Sequence, residues 1–455
     1  MQIQNYVVSL RYNSKRNKMI IEFKVENFLS FKDLTTLSMV KAKSFKEHND
    51  THTISIDDKL SLLKSAIIYG NNASGKSNLL KAMEFMKWTV LNSFREALVN
   101  DTDKKFPLEK FALNAKTETE STFFEVSFFN NDTKYRYGFE INQDKVVAEW
   151  LYHTTTKEVY LFKRELQKIE INKSAFKEGL GKENDVKENV LFLSVLATFG
   201  KEVSSNIIQW FKNFNLINAT YDNRHKKYTV DKLKTDKDFF NWVLHFIKYL
   251  EISSLSTGEE DVNSLEIVFT NASNESQEVA NLPASIKNEK SKRDFLLSYH
   301  RKYDDNNMLI DTIPFNFDAQ ESAGTKKLLY LLGPLYDTLK NGKVLIIDEL
   351  DSKLHSHLTL RIIEFFHKCN TNKAQLICTV HDISLLNKET FRRDQIWFIE
   401  KNQFGASEFL SLADFKTDKV RNNSAFAKNY RDGKYGAIPY FDIDAKLNQL
   451  LYGKE

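Results

Sequence analysis

The spacing of apolar residues changes along the chain, and each change predicts a different kind of element. From Met19 to Val25 apolar and polar positions alternate, as in a half-buried strand, and Asn27-Phe28-Leu29-Ser30-Phe31 follows as a strand end or turn. Ala66-Ile67-Ile68-Tyr69 is an unbroken apolar run, the pattern of a strand buried on both faces. Leu79, Leu80, Met83 and Met86 then recur at helical spacing, in a helix predicted to reach about Ala97. Between residues 121 and 164 the period returns to two, with Asn130-Asn131-Asp132 as a hairpin-type turn, which predicts antiparallel sheet. Apolar periodicity at 190–199, 207–214 and 239–250 predicts helices, whereas 265–270 reads as a strand and 271–278 as a polar loop. Residues 311–317 read as a strand, 328–339 as an apolar helix, and Val344-Leu345-Ile346-Ile347 and residues 375–380 as buried strands.

These elements predict an α/β protein with a mixed sheet, an antiparallel β subdomain and an insertion. The expected division is an extension at 1–18, the first part of the main domain at 19–165, a mainly helical insertion at 166–294, and the second part at 295–455. Composition adds little. There are 65 Lys plus Arg against 61 Asp plus Glu, a net charge of +4, so no global basic field points to nucleic acid. The two cysteines, Cys369 and Cys378, are too far apart for a C-x-x-C pair, and both are expected to be buried small hydrophobes in a reducing cytoplasm. No apolar run approaches the length of a membrane span and no leader is evident, so a cytoplasmic location is expected.

Candidate chemistry lies between the strand at 66–69 and the helix that follows. Gly70-Asn71-Asn72-Ala73-Ser74-Gly75-Lys76-Ser77 matches G-x-x-x-x-G-K-[ST], in the strand–loop–helix context the motif requires. The glycines let consecutive N–H groups turn inward around an anion, and the helix N-terminus adds partial positive charge. Residues Asn71 to Asn78 are therefore the expected phosphate cradle for ATP; Lys76 would reach the β- and γ-phosphates and Ser77 would ligate Mg²⁺. The apolar run at 344–347 ends in Asp348-Glu349, a Walker B pattern. Asp348 is expected in the Mg²⁺ shell, and Glu349 to orient or deprotonate water. The strand at 375–380 ends at His381, within reach of a γ-phosphate on this reading.

In order along the chain, these motifs resemble the ABC-type ATPase head of transporters, SMC proteins, RecF and OLD-like proteins. By that resemblance Ser322-Ala323-Gly324-Thr325 is the signature loop, Leu350-Asp351 the D-loop and His381 the switch histidine. It implies ATP sandwiched between two heads, with Ser322 and Gly324 completing the partner's site. The signature differs from the Ser-Gly-Gly-Gln of transporters, and the Q-loop residue stays open between Glu125 and Gln143. Residues 21–31 and 69–78, Glu321 to Lys326, Asp348 to Asp351 with Leu354-His355, and Tyr435-Gly436-Ala437-Ile438-Pro439 resemble bacterial AAA-type ATPases of phage-defence and abortive-infection systems, the AbiL, RloA and AriA types. That resemblance implies an ATPase that senses, regulates or scaffolds, acting as a homo-oligomer on a separate nuclease or toxin effector. The insertion and the 435–439 segment are the expected docking surfaces. An SMC- or RecF-like repair or chromosome-maintenance ATPase is the alternative, and nucleic acid stays open as a partner. The stretch after His381 is shorter than a typical domain of about 100 residues or more, so an appended nuclease is not expected.

Overall fold

A computed structural model describes residues 18–99, 105–131, 133–217, 223–261, 292–415 and 426–436. The expected extension thus lies almost wholly outside the described residues, as do the strand expected at 265–270 and the loop at 271–278. Two compact units are present: Met1–Thr220 with Asp337–Glu455, and Tyr221–Tyr336.

The first unit contains two large sheets. In the six-stranded sheet the order is Phe214–Ile217, Val344–Ile347, Gln375–Thr379, Ser65–Gly70, Ile396–Lys401 and Ser407–Ser411. The first five strands are parallel and Ser407–Ser411 is antiparallel. Every residue of Ser65–Gly70 and Val344–Ile347 is buried, as parallel strands covered on both faces require. The seven-stranded sheet is antiparallel, in the order Lys168–Ile171, Glu158–Glu165, Val146–Thr154, Thr133–Ile141, Thr122–Asn130, Lys18–Glu26 and Thr35–Ser38.

One hydrophobic core joins the inner face of that sheet to the helix Lys76–Val99, through Phe23, Val25, Phe124, Phe128, Leu80, Met83 and Met86. Helices Phe192–Thr198 and Glu202–Lys212 close it. The Trp210 ring stacks on Phe128 at 3.8 Å between centroids, and Glu149 accepts hydrogen bonds from the amides of Phe192 (2.6 Å) and Leu193 (3.0 Å). The stretch 166–217 therefore belongs to the first unit and not to an insertion. It is not wholly helical either: the helix expected at 207–214 ends at Lys212, and Phe214 begins the outermost parallel strand. Cys378 is buried, but Cys369, at the end of helix Ser356–Cys369, is exposed. Tyr435, expected in a docking segment, is a core residue; its ring stacks on Phe398 at 5.3 Å and its hydroxyl accepts from Asn429 Nδ2. Residues 437–439 lie outside the described residues.

The second unit has helices Asn223–Thr235 and Lys237–Ile247 and a three-stranded antiparallel sheet of Ile252–Asp261, Lys292–Tyr303 and Leu309–Asn316. It is therefore not mainly helical. It also takes in residues 295–336, which the sequence assigned to the main domain. Asp236 caps the second helix by accepting from the Phe239 amide at 2.9 Å. Glu321 accepts from His300 Nε2 at 2.7 Å and from Ser298, tying the approach to Ser322 to the middle strand. Among the described residues, no helix is long and apolar enough to cross a membrane.

Candidate nucleotide site

Strand Ser65–Gly70 ends in the glycine-rich loop, and helix Lys76–Val99 starts at the lysine itself. The loop backbone is bent hard: Ala73 has φ 63° and Gly75 φ 112°, the left-handed region where side chains are disfavoured. A Cβ at Gly75 would also collide with the hydroxyls of Ser30 and Ser407. These two serines form a buttress behind the loop. Ser407 Oγ donates to the Ser74 carbonyl at 2.6 Å, Ser30 and Ser407 hydroxyls are 2.7 Å apart, and Asn78 Nδ2 donates to Ser30 Oγ at 2.8 Å.

Lys76 Nζ folds back onto its own loop, donating to the carbonyls of Gly70 (2.6 Å) and Asn71 (2.8 Å). Burial lowers its pKa, and the carboxylates of Asp348, Glu349 and Asp351 act in the opposite direction. Asn71 Oδ1 and Ser74 Oγ are buried without a hydrogen-bond partner. A cation held against loop carbonyls, orphaned polar atoms and a backbone that excludes a Cβ together fit a polyphosphate.

The carboxylates arrive on neighbouring parallel strands. Ile347 pairs with Cys378, and Thr379 pairs with Ile68, so the C-terminal ends of three strands share one edge of the sheet. Asp348 follows Ile347 and is nearly buried; its Oδ1 accepts from Thr379 Oγ1 at 2.6 Å. Glu349 is half-exposed, with φ 49°, another left-handed residue at the site. His381 Nε2 stands 3.6 Å from Glu349 Oε1. Asp351 Oδ2 accepts from the amides of His381 (2.7 Å) and Asp382 (2.6 Å).

Lys76, Asp348, Glu349 and His381 are thus all in the first unit. Ser322 and Gly324 belong to the second, where Ser322 caps the helix Ala323–Asn341; its exposed hydroxyl accepts from the Thr325 amide at 3.1 Å. Of the Q-loop alternatives, Gln143 is in an exposed turn, and Glu125 is held within the antiparallel sheet by Lys24 (3.1 Å), Arg136 (2.9 Å) and Trp150 (2.9 Å). Sequence reasoning missed Ser407, Thr379 and the support given by Ser30. Ser30 lies in a recognisable motif, but its contacts are with residues far away in the chain.

The parallel strand order, the phosphate loop and the Asp-Glu strand define a P-loop nucleoside-triphosphatase fold. The family described as "AAA domain, putative AbiEii toxin, Type IV TA system" matches residues 65–387, and the chain belongs to this family. A search among curated proteins finds no match. Solved structures similar to it include an SMC head domain from Thermotoga maritima, 14% identical, with a TM-score of 0.38 over 86% of this chain and 98% of that one. An SMC head bound to the C-winged helix domain of ScpA is 12% identical, with a TM-score of 0.38 over 87% of this chain and 98% of that one.

Proposed function

We propose that this protein binds and hydrolyses ATP and acts as the regulatory or scaffolding component of a bacterial anti-phage system with a separate effector. The observation that carries the ATPase reading is the convergence of Lys76, Asp348, Glu349 and His381 at the loop end of adjacent parallel strands. Lys76, with the loop residues 71–78, would hold the phosphates; Ser77 and Asp348 would hold Mg²⁺, which when bound neutralises phosphate charge. Glu349 is the general base that takes a proton from the attacking water, and His381, 3.6 Å from its carboxylate, orients it. Family membership supports nucleotide turnover as the activity.

The paired-head arrangement is part of this proposal. Ser322 and Ala323 are exposed at a helix N-terminus, the kind of element that meets an anion, and they would cap the nucleotide of a second copy. The toxin–antitoxin wording of the family description favours the defence role over DNA repair. In that role the head changes contacts with a nuclease or toxin encoded beside it when nucleotide binds or leaves. Phage challenge of cells carrying the neighbouring genes, with wild type or Lys76→Ala, tests this. Protection that depends on Lys76 supports the reading, and equal protection in both strains contradicts it.

A further inference from the structure

Thr379 is the last residue of strand Gln375–Thr379, one position beyond the Ile347–Cys378 pair, and so faces Asp348 across the sheet. Its side chain is fully buried. A threonine hydroxyl offers one donor and two acceptor positions, and this one is engaged both ways. Oγ1 donates to Asp348 Oδ1 at 2.6 Å and accepts from the Glu349 amide at 2.7 Å. The Thr379 carbonyl accepts from the Leu350 amide at 3.0 Å. One residue therefore fixes three consecutive residues of the turn that carries both carboxylates.

That turn needs fixing. Glu349 has a left-handed backbone, φ 49°, a strained conformation that persists only where surrounding contacts over-determine it. Thr379 occupies Oδ1 of Asp348, whereas no described residue hydrogen-bonds Oδ2. A β-branched residue suits this task because its χ1 is restricted, so the hydroxyl has little freedom to turn away.

We propose that Thr379 is a positioning residue of the nucleotide site, which aims the free Asp348 oxygen at the metal and pins the Glu349 backbone. The proposal rests on the nucleotide-site reading above. A hydrogen-bonding partner of a metal-binding carboxylate fixes its orientation, and loss of such a partner typically weakens metal binding 10–100-fold. Valine at 379 keeps the shape and removes both hydroxyl bonds; serine keeps the bonds and loses the restricted χ1.

The test uses Mn²⁺ as a spectroscopic probe in place of Mg²⁺, titrated by electron paramagnetic resonance into the full chain with ADP. Thr379→Val should weaken nucleotide-dependent Mn²⁺ binding by about tenfold or more, and Thr379→Ser by about threefold at most. Affinity for ADP in EDTA should stay within about twofold of wild type for both, because the phosphate cradle does not include this hydroxyl. If Thr379→Val does not fold, Thr379→Cys, whose thiol is a weak donor, is read the same way. Mn²⁺ binding by Thr379→Val or Thr379→Cys at wild-type affinity overturns the proposal and leaves the nucleotide site standing. Failure of wild type to bind Mn²⁺ with ADP overturns the nucleotide site and this proposal with it.

Discussion

Asp351 Oδ2 accepts the His381 amide at 2.7 Å and the Asp382 amide at 2.6 Å, so one carboxylate oxygen holds the loop that carries the histidine. His381 and Glu349 come within 3.6 Å because their two loops are tied in this way. Hydrogen bonds to a charged group are worth roughly 1.5–3 kcal/mol each. Asp351→Ala should therefore lower kcat by about tenfold or more while ATP affinity changes little. Steady-state hydrolysis beside calorimetry separates the two, and an unchanged kcat would show that the tie is dispensable.

In the proposed reaction Glu349 is the base; it follows Asp348, and its carboxylate stands 3.6 Å from His381 Nε2. Glu349→Gln should bind ATP normally and hydrolyse it at least about 100-fold more slowly, the scale for losing a general base. Single-turnover measurements avoid confusion with product release. Wild-type turnover in this variant would put the base elsewhere.

The paired-head proposal makes a complementation prediction. Lys76→Ala and Ser322→Arg chains, each inactive alone, should recover part of the activity when mixed, because one of the two shared sites then has both halves intact. Native mass spectrometry establishes whether mixed dimers are present. Mixed dimers without recovery would mean that the site is complete within one chain.

A stack of histidines predicts acid sensitivity. The His52 ring lies 3.8 Å from His367 and 4.6 Å from His48. Burial pushes the His52 pKa down to about 4; its hydrogen bond with Gln395 opposes this, and His48, Lys64 and Arg392 add to the lowering. Burial, then His52, Lys64 and His48, hold His367 well below the usual range. The folded state thus favours neutral rings, and below about pH 6.5 the unfolded chain binds more protons. Stability from this source is complete above that pH and is lost as pH falls toward 4. Between pH 7 and 4.5 the wild type should lose on the order of 2 kcal/mol more than His52→Phe. Urea unfolding across that range measures it, and parallel curves for the two proteins would refute it.

The phosphate loop and the Asp-Glu strand were legible in the sequence because each is a short local pattern. The four strands between Thr122 and Glu165 were legible through their period of two. What escaped was non-local or lacked contrast. Phe214 continues the helical spacing of Trp210 and Phe211, so its switch to a strand is fixed only by pairing with Val344. The strand expected at 311–317 is present as Leu309–Asn316, but the polar strand at the other edge of the same sheet, Ile252–Asp261, gives no clean alternation and was missed. Ser407 and Thr379 are ordinary residues in sequence, and the motif that holds Ser30 does not announce its distant contacts. They become part of the site only when folding brings Ser30 and Ser407 onto one wall of the loop and Thr379 opposite Asp348.

On the reading proposed above, the loop at 70–77 binds ATP through Lys76. Isothermal titration of ATP with Mg²⁺ into wild type and Lys76→Ala tests it most directly. Lys76 is the only cation in that loop. Wild type should show one saturable binding event per chain, and the variant an affinity weakened at least about 100-fold, roughly two charge-assisted hydrogen bonds lost. Equal affinity in the two proteins, or no binding by wild type, would contradict it.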